Sequence, residues 1–257
     1  EIIKEKAISI CVGKKGIGTQ EVTVQILGDS FVNGAFFRDA LLSKNYIPGI
    51  KLVGLRNIKN EEGQYDEGRG GWTVKKYFEI PKGEMTSYHG YMQPVGEYRY
   101  WGSCEFWKNC YKVINGELTD TEIVYNCGRY DQCITKFDKE TGYLAAPKKN
   151  DLMYDNARGS YMVYTGKKWK NVEVDERKWA FNYRKYLDMW NLDAPKFFAQ
   201  MLGLNDYRDS LTADYREWNK KIAEMKESYY KAVPDGKFII LIPCTTLSLI
   251  HISEPTR

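Results

Sequence analysis

Residues 21–30 read Glu-Val-Thr-Val-Gln-Ile-Leu-Gly-Asp-Ser, and the fold turns on how this stretch is read. Residues 21–27 alternate and are rich in Val and Ile, the composition of a strand. The run stops at Gly28-Asp29-Ser30, residue types that favour a turn. Residues 33–42 then read as a helix with Phe36, Phe37, Ala40 and Leu41 on its inner face. Pro48-Gly49 turns the chain into a second strand, 50–55. A polar stretch, 56–67, leads into Gly68-Arg69-Gly70-Gly71-Trp72-Thr73 and a short helix toward Phe78.

The same alternation returns in the last third of the chain. Residues 179–190 read as an amphipathic helix and 196–202 as an apolar strand, with Gly203-Leu204-Asn205-Asp206 at its carboxyl end. Leu211, Tyr215, Trp218, Ile222, Met225, Tyr229 and Ala232 recur at spacings of four and three, one stripe of a long helix. Pro234-Asp235-Gly236 ends it, and 237–242 reads as a buried parallel strand. This order predicts an α/β fold with a doubly wound parallel sheet in three layers.

Between the two halves the character changes. Residues 80–175 are dense in Tyr and Trp and predict a β-rich insertion. Hairpins are expected at Asn115-Gly116, between 111–114 and Leu118, and over 159–174. The core therefore divides into 21–79 and 176–246 around the insertion, with 1–20 as an amino-terminal remnant and 247–257 as a tail.

Composition bounds the partners. A chain of 257 residues with 43% hydrophobic and 28% charged residues reads as globular, long enough for one α/β domain and an insertion. No apolar run reaches the length of a membrane span. The net charge is +4, with basic residues scattered among acidic ones, so a nucleic-acid partner is not expected. The densest basic cluster, Lys167, Lys168 and Lys170 around Trp169, reads as a solvated hairpin edge. Cys104, Cys110, Cys127 and Cys133 form two pairs with five residues between members, wider than zinc-knuckle spacing. Disulfides and free thiols both stay open. Cys11 and Cys244 read as core residues. The chain opens on Glu1 rather than Met, so the amino terminus is expected to be missing and the lack of a signal says little of the compartment; a secreted or periplasmic setting stays open.

Two of the polar motifs end predicted strands and the third lies on the loop beyond strand two. Carboxyl ends of strands are where open parallel sheets bind ligands. Each motif alone is a plain turn; the ordered set is specific. Gly28-Asp29-Ser30, Gly70-Gly71 and Gly203-Leu204-Asn205-Asp206 resemble the first three blocks of the SGNH/GDSL serine hydrolases, over about residues 20–80 and 180–245. The resemblance implies an ester hydrolase without a cofactor or metal, acting on a small-molecule or carbohydrate ester, with a carbohydrate acetyl ester as one candidate. It implies Ser30 as nucleophile, with Gly71 and Asn205 completing the oxyanion hole beside the Ser30 N–H. The Gly-Gly-x-Thr setting favours Gly71 over Gly70. Asp29 and Asp206 read as loop-fixing groups that accept backbone N–H bonds.

The resemblance breaks at the general base. The family places a histidine in an Asp-x-x-His block near the carboxyl terminus, and this chain has only His89 and His251. His89 lies in the insertion and reads as a surface or hairpin imidazole. His251 lies in Leu-Ser-Leu-Ile-His-Ile-Ser-Glu-Pro-Thr-Arg, 247–257, which resembles a translated sequencing adapter. The expectation is a truncated, weakly active esterase. The alternative is a non-catalytic binding or structural module on the same scaffold.

Overall fold

The computed structural model describes residues 21–34, 36–43, 49–56, 65–83, 88–118, 134–207 and 215–241. Expectations for 1–20, for Cys11, Cys127, Cys133, Cys244 and His251, and for the tail lie outside the described residues.

The architecture is mixed α/β, built on a parallel sheet. β1 (Val22–Gly28) is its centre, and β2 (Ile50–Leu52) pairs along its first half. A two-residue strand, β3 (Glu67–Gly68), pairs along the end of β1, with Gly28 opposite Gly68. On the other side β1 pairs in parallel with Phe197–Met201, which pairs in parallel with Lys237–Ile240. The chain thus leaves β1 in one direction to β2 and in the other to the two later strands.

Both faces of β1 are covered. Ile26 packs with Val32 and Leu52, while Leu27, its neighbour on the opposite face, belongs to the main core. That main core runs unbroken from Leu27 and Phe198 of the sheet, through Tyr183, Tyr186 and Leu187, to Trp107, Phe137 and Leu152 of the insertion.

Within the insertion, β4 (Met92–Pro94) pairs with Trp179–Phe181, and β5 (Arg99–Ser103) opens a second sheet. β5 pairs in parallel with β6 (Asp151–Asp155), which continues as a meander through β7 (Ser160–Tyr164) and β8 (Trp169–Val172). The β7–β8 hairpin matches the expected 159–174 hairpin, and Lys167, Lys168 and Lys170 sit exposed on its turn and outer edge. In chain order the remaining strands are β9 (Trp179–Phe181), β10 (Phe197–Met201) and β11 (Lys237–Ile240).

Several expectations need correction. Residues 111–114 are not a hairpin strand: Cys104–Ile114 is a helix, capped by Ser103 and ended at Asn115-Gly116 with Gly116 at φ +77°. Asn-Gly serves a helix C-terminus as readily as a hairpin, because both use a left-handed residue. The helix expected over 33–42 is two segments, Ser30–Asn33 and Phe36–Ser43, and the second buries Arg38. The helix expected over 179–190 begins only at Tyr183, after β9. β11 is parallel but not buried: it lies at the sheet edge, with Ile239 and Ile240 37% and 46% exposed. Cys110 is disulfide-bonded, whereas Cys104 is a buried free thiol. No helix of the described residues is long and apolar enough to cross a membrane.

Candidate functional site

Register fixes where the three motifs meet. β10, β1 and β3 lie side by side and parallel, with Met201 opposite Gly28 and Gly28 opposite Gly68. The residues just past these strands are Ser30, Gly70-Gly71 and Asn205-Asp206, so all three motifs emerge at the carboxyl end of one sheet. The close approach depends on Gly68: a Cβ there would lie 2.2 Å from the Asn33 backbone nitrogen. No other residue lets the Ser30–Asn33 helix sit against β3.

Asp29 caps that helix, its Oδ1 accepting the Phe31 N–H at 3.1 Å. Ser30 follows as the first helical residue, half-buried, and its hydroxyl bonds to no described side chain. Phe31 is exposed beside it.

The Arg69-Gly70-Gly71-Trp72 segment is a tight turn closed by Trp72 N–H on Arg69 C=O at 3.2 Å, with Gly71 at φ +70°. That is the third position of a type II turn, which favours glycine. Gly71 is exposed, and nothing lies within 4 Å of where its Cβ would be. Its N–H donates to no described group.

The turn is held from two sides. From below, the buried Arg69 guanidinium pairs with Glu67 at 2.8 Å, donates to Tyr88 C=O at 3.2 Å and lies over the Trp72 and Tyr77 rings at 5.2 and 5.6 Å. The Tyr77 hydroxyl lies 2.7 Å from both the Gly28 and the Glu67 carbonyl oxygens, tying the ends of β1 and β3 together. From the side comes the short helix Leu204–Tyr207. Asn205 Nδ2 donates to Trp72 C=O at 3.0 Å, and Asp206 accepts the Val74 N–H on both oxygens, at 3.0 and 3.2 Å. An amide NH₂ has two donors, so one donor of Asn205 stays uncommitted among the described residues.

Asp29 and Asp206 both accept backbone N–H bonds, in keeping with a loop-fixing part. Burial raises both carboxyl pKa values, and the Asp29 charge adds to the rise at Asp206.

His89 is not at the surface. It is buried, with Nε2 3.1 Å from Glu79 C=O and Nδ1 accepting the Tyr91 N–H at 3.2 Å. It packs edge-on to Trp72 and stacks with Tyr91. Burial, then the Arg69 charge, pushes its pKa down to about 3. A neutral imidazole with both nitrogens engaged takes no proton from Ser30.

Sequence reasoning missed the buried polar bed under the site. Arg38 donates to Asp66 at 3.2 Å, and Arg56 donates to Asn33 Oδ1 at 2.9 Å. Glu67 accepts from Tyr186 at 2.6 Å and from the Leu55 N–H at 2.7 Å. Gln25, in the middle of β1, is buried among Tyr186, Tyr183 and Tyr91. The one signal available was a glutamine in the middle of a strand rich in Val, Ile and Leu.

Among the described residues no cluster of His, Cys, Asp and Glu is arranged to hold a metal ion. Comparison with protein-family models, with curated proteins and with solved structures found no match to this chain.

Proposed function

We propose that this chain is the nucleophile and oxyanion-hole portion of a serine ester hydrolase of the SGNH/GDSL type, on a doubly wound sheet. The observation that carries the reading is the convergence just described. Ser30, Gly71 and Asn205 follow three adjacent parallel strands, and the Asn205 amide is already fixed on the Gly71 turn. In this reading Ser30 Oγ attacks an ester carbonyl as a general base takes its proton, and the oxyanion that forms takes hydrogen bonds from the Ser30 and Gly71 N–H groups and Asn205 Nδ2; its collapse expels the alcohol, which takes up that proton, and water then releases the acid from the acyl-serine. Glycine at 71 admits the carbonyl to a bare backbone N–H. Asp29 and Asp206 hold the loops and take no part in the chemistry. The substrate class is a small-molecule or carbohydrate ester, with an acetyl ester as the first choice.

The described residues place no imidazole on Ser30, so the test supplies one. Hydrolysis of 4-nitrophenyl acetate is followed with and without added imidazole, in the chain and in Ser30→Ala. The reading expects an imidazole-dependent rate above the Ser30→Ala background and a slow rate without it. Serine hydrolases that lose a triad member fall by several powers of ten but keep about 10³–10⁴-fold over water. An imidazole response identical in both proteins would reject Ser30 as nucleophile.

A second reading is a binding module on the same scaffold, favoured by His89 being neutral and fully engaged. It predicts ligand binding near Ser30 with no imidazole-dependent turnover.

A further inference from the structure

Away from the three motifs, a cavity of about 370 Å³ opens between the starts of β5 and β6, the 134–148 segment and the Tyr183–Trp190 helix. No residue of the candidate ester site lines it. Its volume falls within the range of small-molecule pockets, about 300–1,000 Å³. The floor is buried and apolar, formed by Trp101, Leu144 and Met189.

The charges around it are divided unevenly. Asp151, buried in the floor, is fully committed: Oδ1 accepts from Arg99 Nε at 2.8 Å and from Trp101 Nε1 at 2.9 Å, and Oδ2 accepts from the Lys148 N–H at 2.6 Å. Asp188 is paired with Arg184. The Lys136 and Lys148 ammonium groups carry no ion pair or hydrogen bond to a described residue. Lys136 instead lies 5.9 and 5.8 Å from the Trp101 and Trp190 ring centres. Among the described residues the lining carboxylates are ion-paired, neither lysine ammonium is, and the floor around Asp151 is largely apolar.

We propose that this cavity binds a small arenecarboxylate, an anion with one flat apolar ring. The ring lies on the Trp101–Met189 floor and the carboxylate meets Lys136 and Lys148. A cation would face those ammonium groups with no uncommitted carboxylate to receive it. An inorganic anion would leave the floor unused. The bond from Trp101 Nε1 to Asp151 fixes the indole before any ligand arrives, so ordering the floor adds no cost to binding.

Benzoate is the probe, titrated into the full chain and followed by NMR at the Met189 and Ala145 methyl groups, with the Gly71 amide as a reporter on the ester site. Saturable shifts at Met189 and Ala145 are expected, at least ten-fold weaker for benzyl alcohol and for inorganic phosphate. Lys136→Gln with Lys148→Gln should weaken benzoate at least ten-fold. Both lysines are exposed, so the double variant keeps its core. Four outcomes would overturn the proposal: no saturable shift; shifts at Gly71 instead; equal binding of phosphate; or a double variant that binds as the parent does. None depends on whether Ser30 is a nucleophile.

Discussion

The side-chain amide of Asn205 donates to the backbone carbonyl of Trp72 at 3.0 Å, joining the loop after β10 to the turn that carries Gly71. Two proposed oxyanion donors are thereby fixed relative to each other before a substrate binds, which is what electrostatic preorganisation requires.

Asn205→Ala is accordingly expected to lower kcat of the Ser30-dependent, imidazole-assisted hydrolysis by about 10²–10³-fold with KM little changed. Its cost in stability should be only about 1 kcal/mol, the worth of one neutral hydrogen bond. Paired urea melts and steady-state kinetics check the split. A kcat loss of less than about three-fold would remove Asn205 from the oxyanion hole.

Gly68 at the end of β3 and Gly71 in the turn that follows should answer differently to the same substitution. At Gly71 the side chain has room and only the left-handed backbone is disfavoured, so Gly71→Ala should cost about 1–2 kcal/mol. At Gly68 the new carbon would meet the Asn33 nitrogen at 2.2 Å and the helix must move. Gly68→Ala should cost about 3 kcal/mol or more. Urea unfolding of the two variants measures the order, and a reversed order would contradict the packing described.

His89 gives a pH dependence of known sign. Its folded pKa, about 3, lies below the 6.5 of an unfolded imidazole. The stability that goes with the neutral form is complete above about pH 6.5 and is lost as pH falls toward 3. His89→Gln should unfold with a shallower acid dependence over that window. The His89 imidazole resonances of the wild type should not titrate between pH 8 and 5. A normal titration near 6.5 would show the ring to be solvated.

Asp66 acts in the opposite sense. Burial raises its carboxyl to about 6, against a Gly68 N–H bond and the Arg56 and Arg38 charges, which lower it. Its folded pKa exceeds the unfolded value, so its contribution is greatest below about pH 4 and declines as pH rises to 6. The stability of Asp66→Asn relative to wild type should rise across that window, by on the order of 2–3 kcal/mol, and then level off. A difference independent of pH from 3.5 to 7 would contradict this.

Arg69→Met should cost about 3–5 kcal/mol by leaving Glu67 buried without its guanidinium. Arg69→Lys should recover little of it, because an ammonium cannot span Glu67 and the Tyr88 carbonyl together. Thermal melts of both variants decide it. Full recovery by lysine would show that charge alone suffices.

The sheet was legible wherever periodicity was strong. β1, β10 and the long helix ending at Ala232 announce themselves through apolar runs and a four-three stripe, which burial imposes on sequence. The Cys104–Ile114 helix was legible too: Cys104, Trp107, Tyr111 and Ile114 repeat at helical spacing, but Asn115-Gly116 drew attention to a hairpin. Ser30 and Asn205 stood at the ends of predicted strands, while Gly71, on the loop beyond strand two, was singled out by the family resemblance. The bed beneath them did not. Arg38, Arg56, Asp66, Glu67 and Arg69 follow no repeat, and a charge reads as solvated until its partner is seen. Glu67 meets Tyr186 from 119 residues away, a distance no local pattern spans. His89 was misjudged for the same reason, since the rings that enclose it come from several segments.

Gln25 sits in the middle of the first described strand, and its amide donates to a Tyr186 hydroxyl 161 residues later. As the chain leaves the ribosome, β1 therefore emerges with a polar group that has no partner and one flank open until β10 follows. Such late closure makes for slow folding with an exposed strand edge along the way. A holdase or trigger-type chaperone should raise the yield of native protein, and shortening the chain before residue 201 should send it into inclusion bodies.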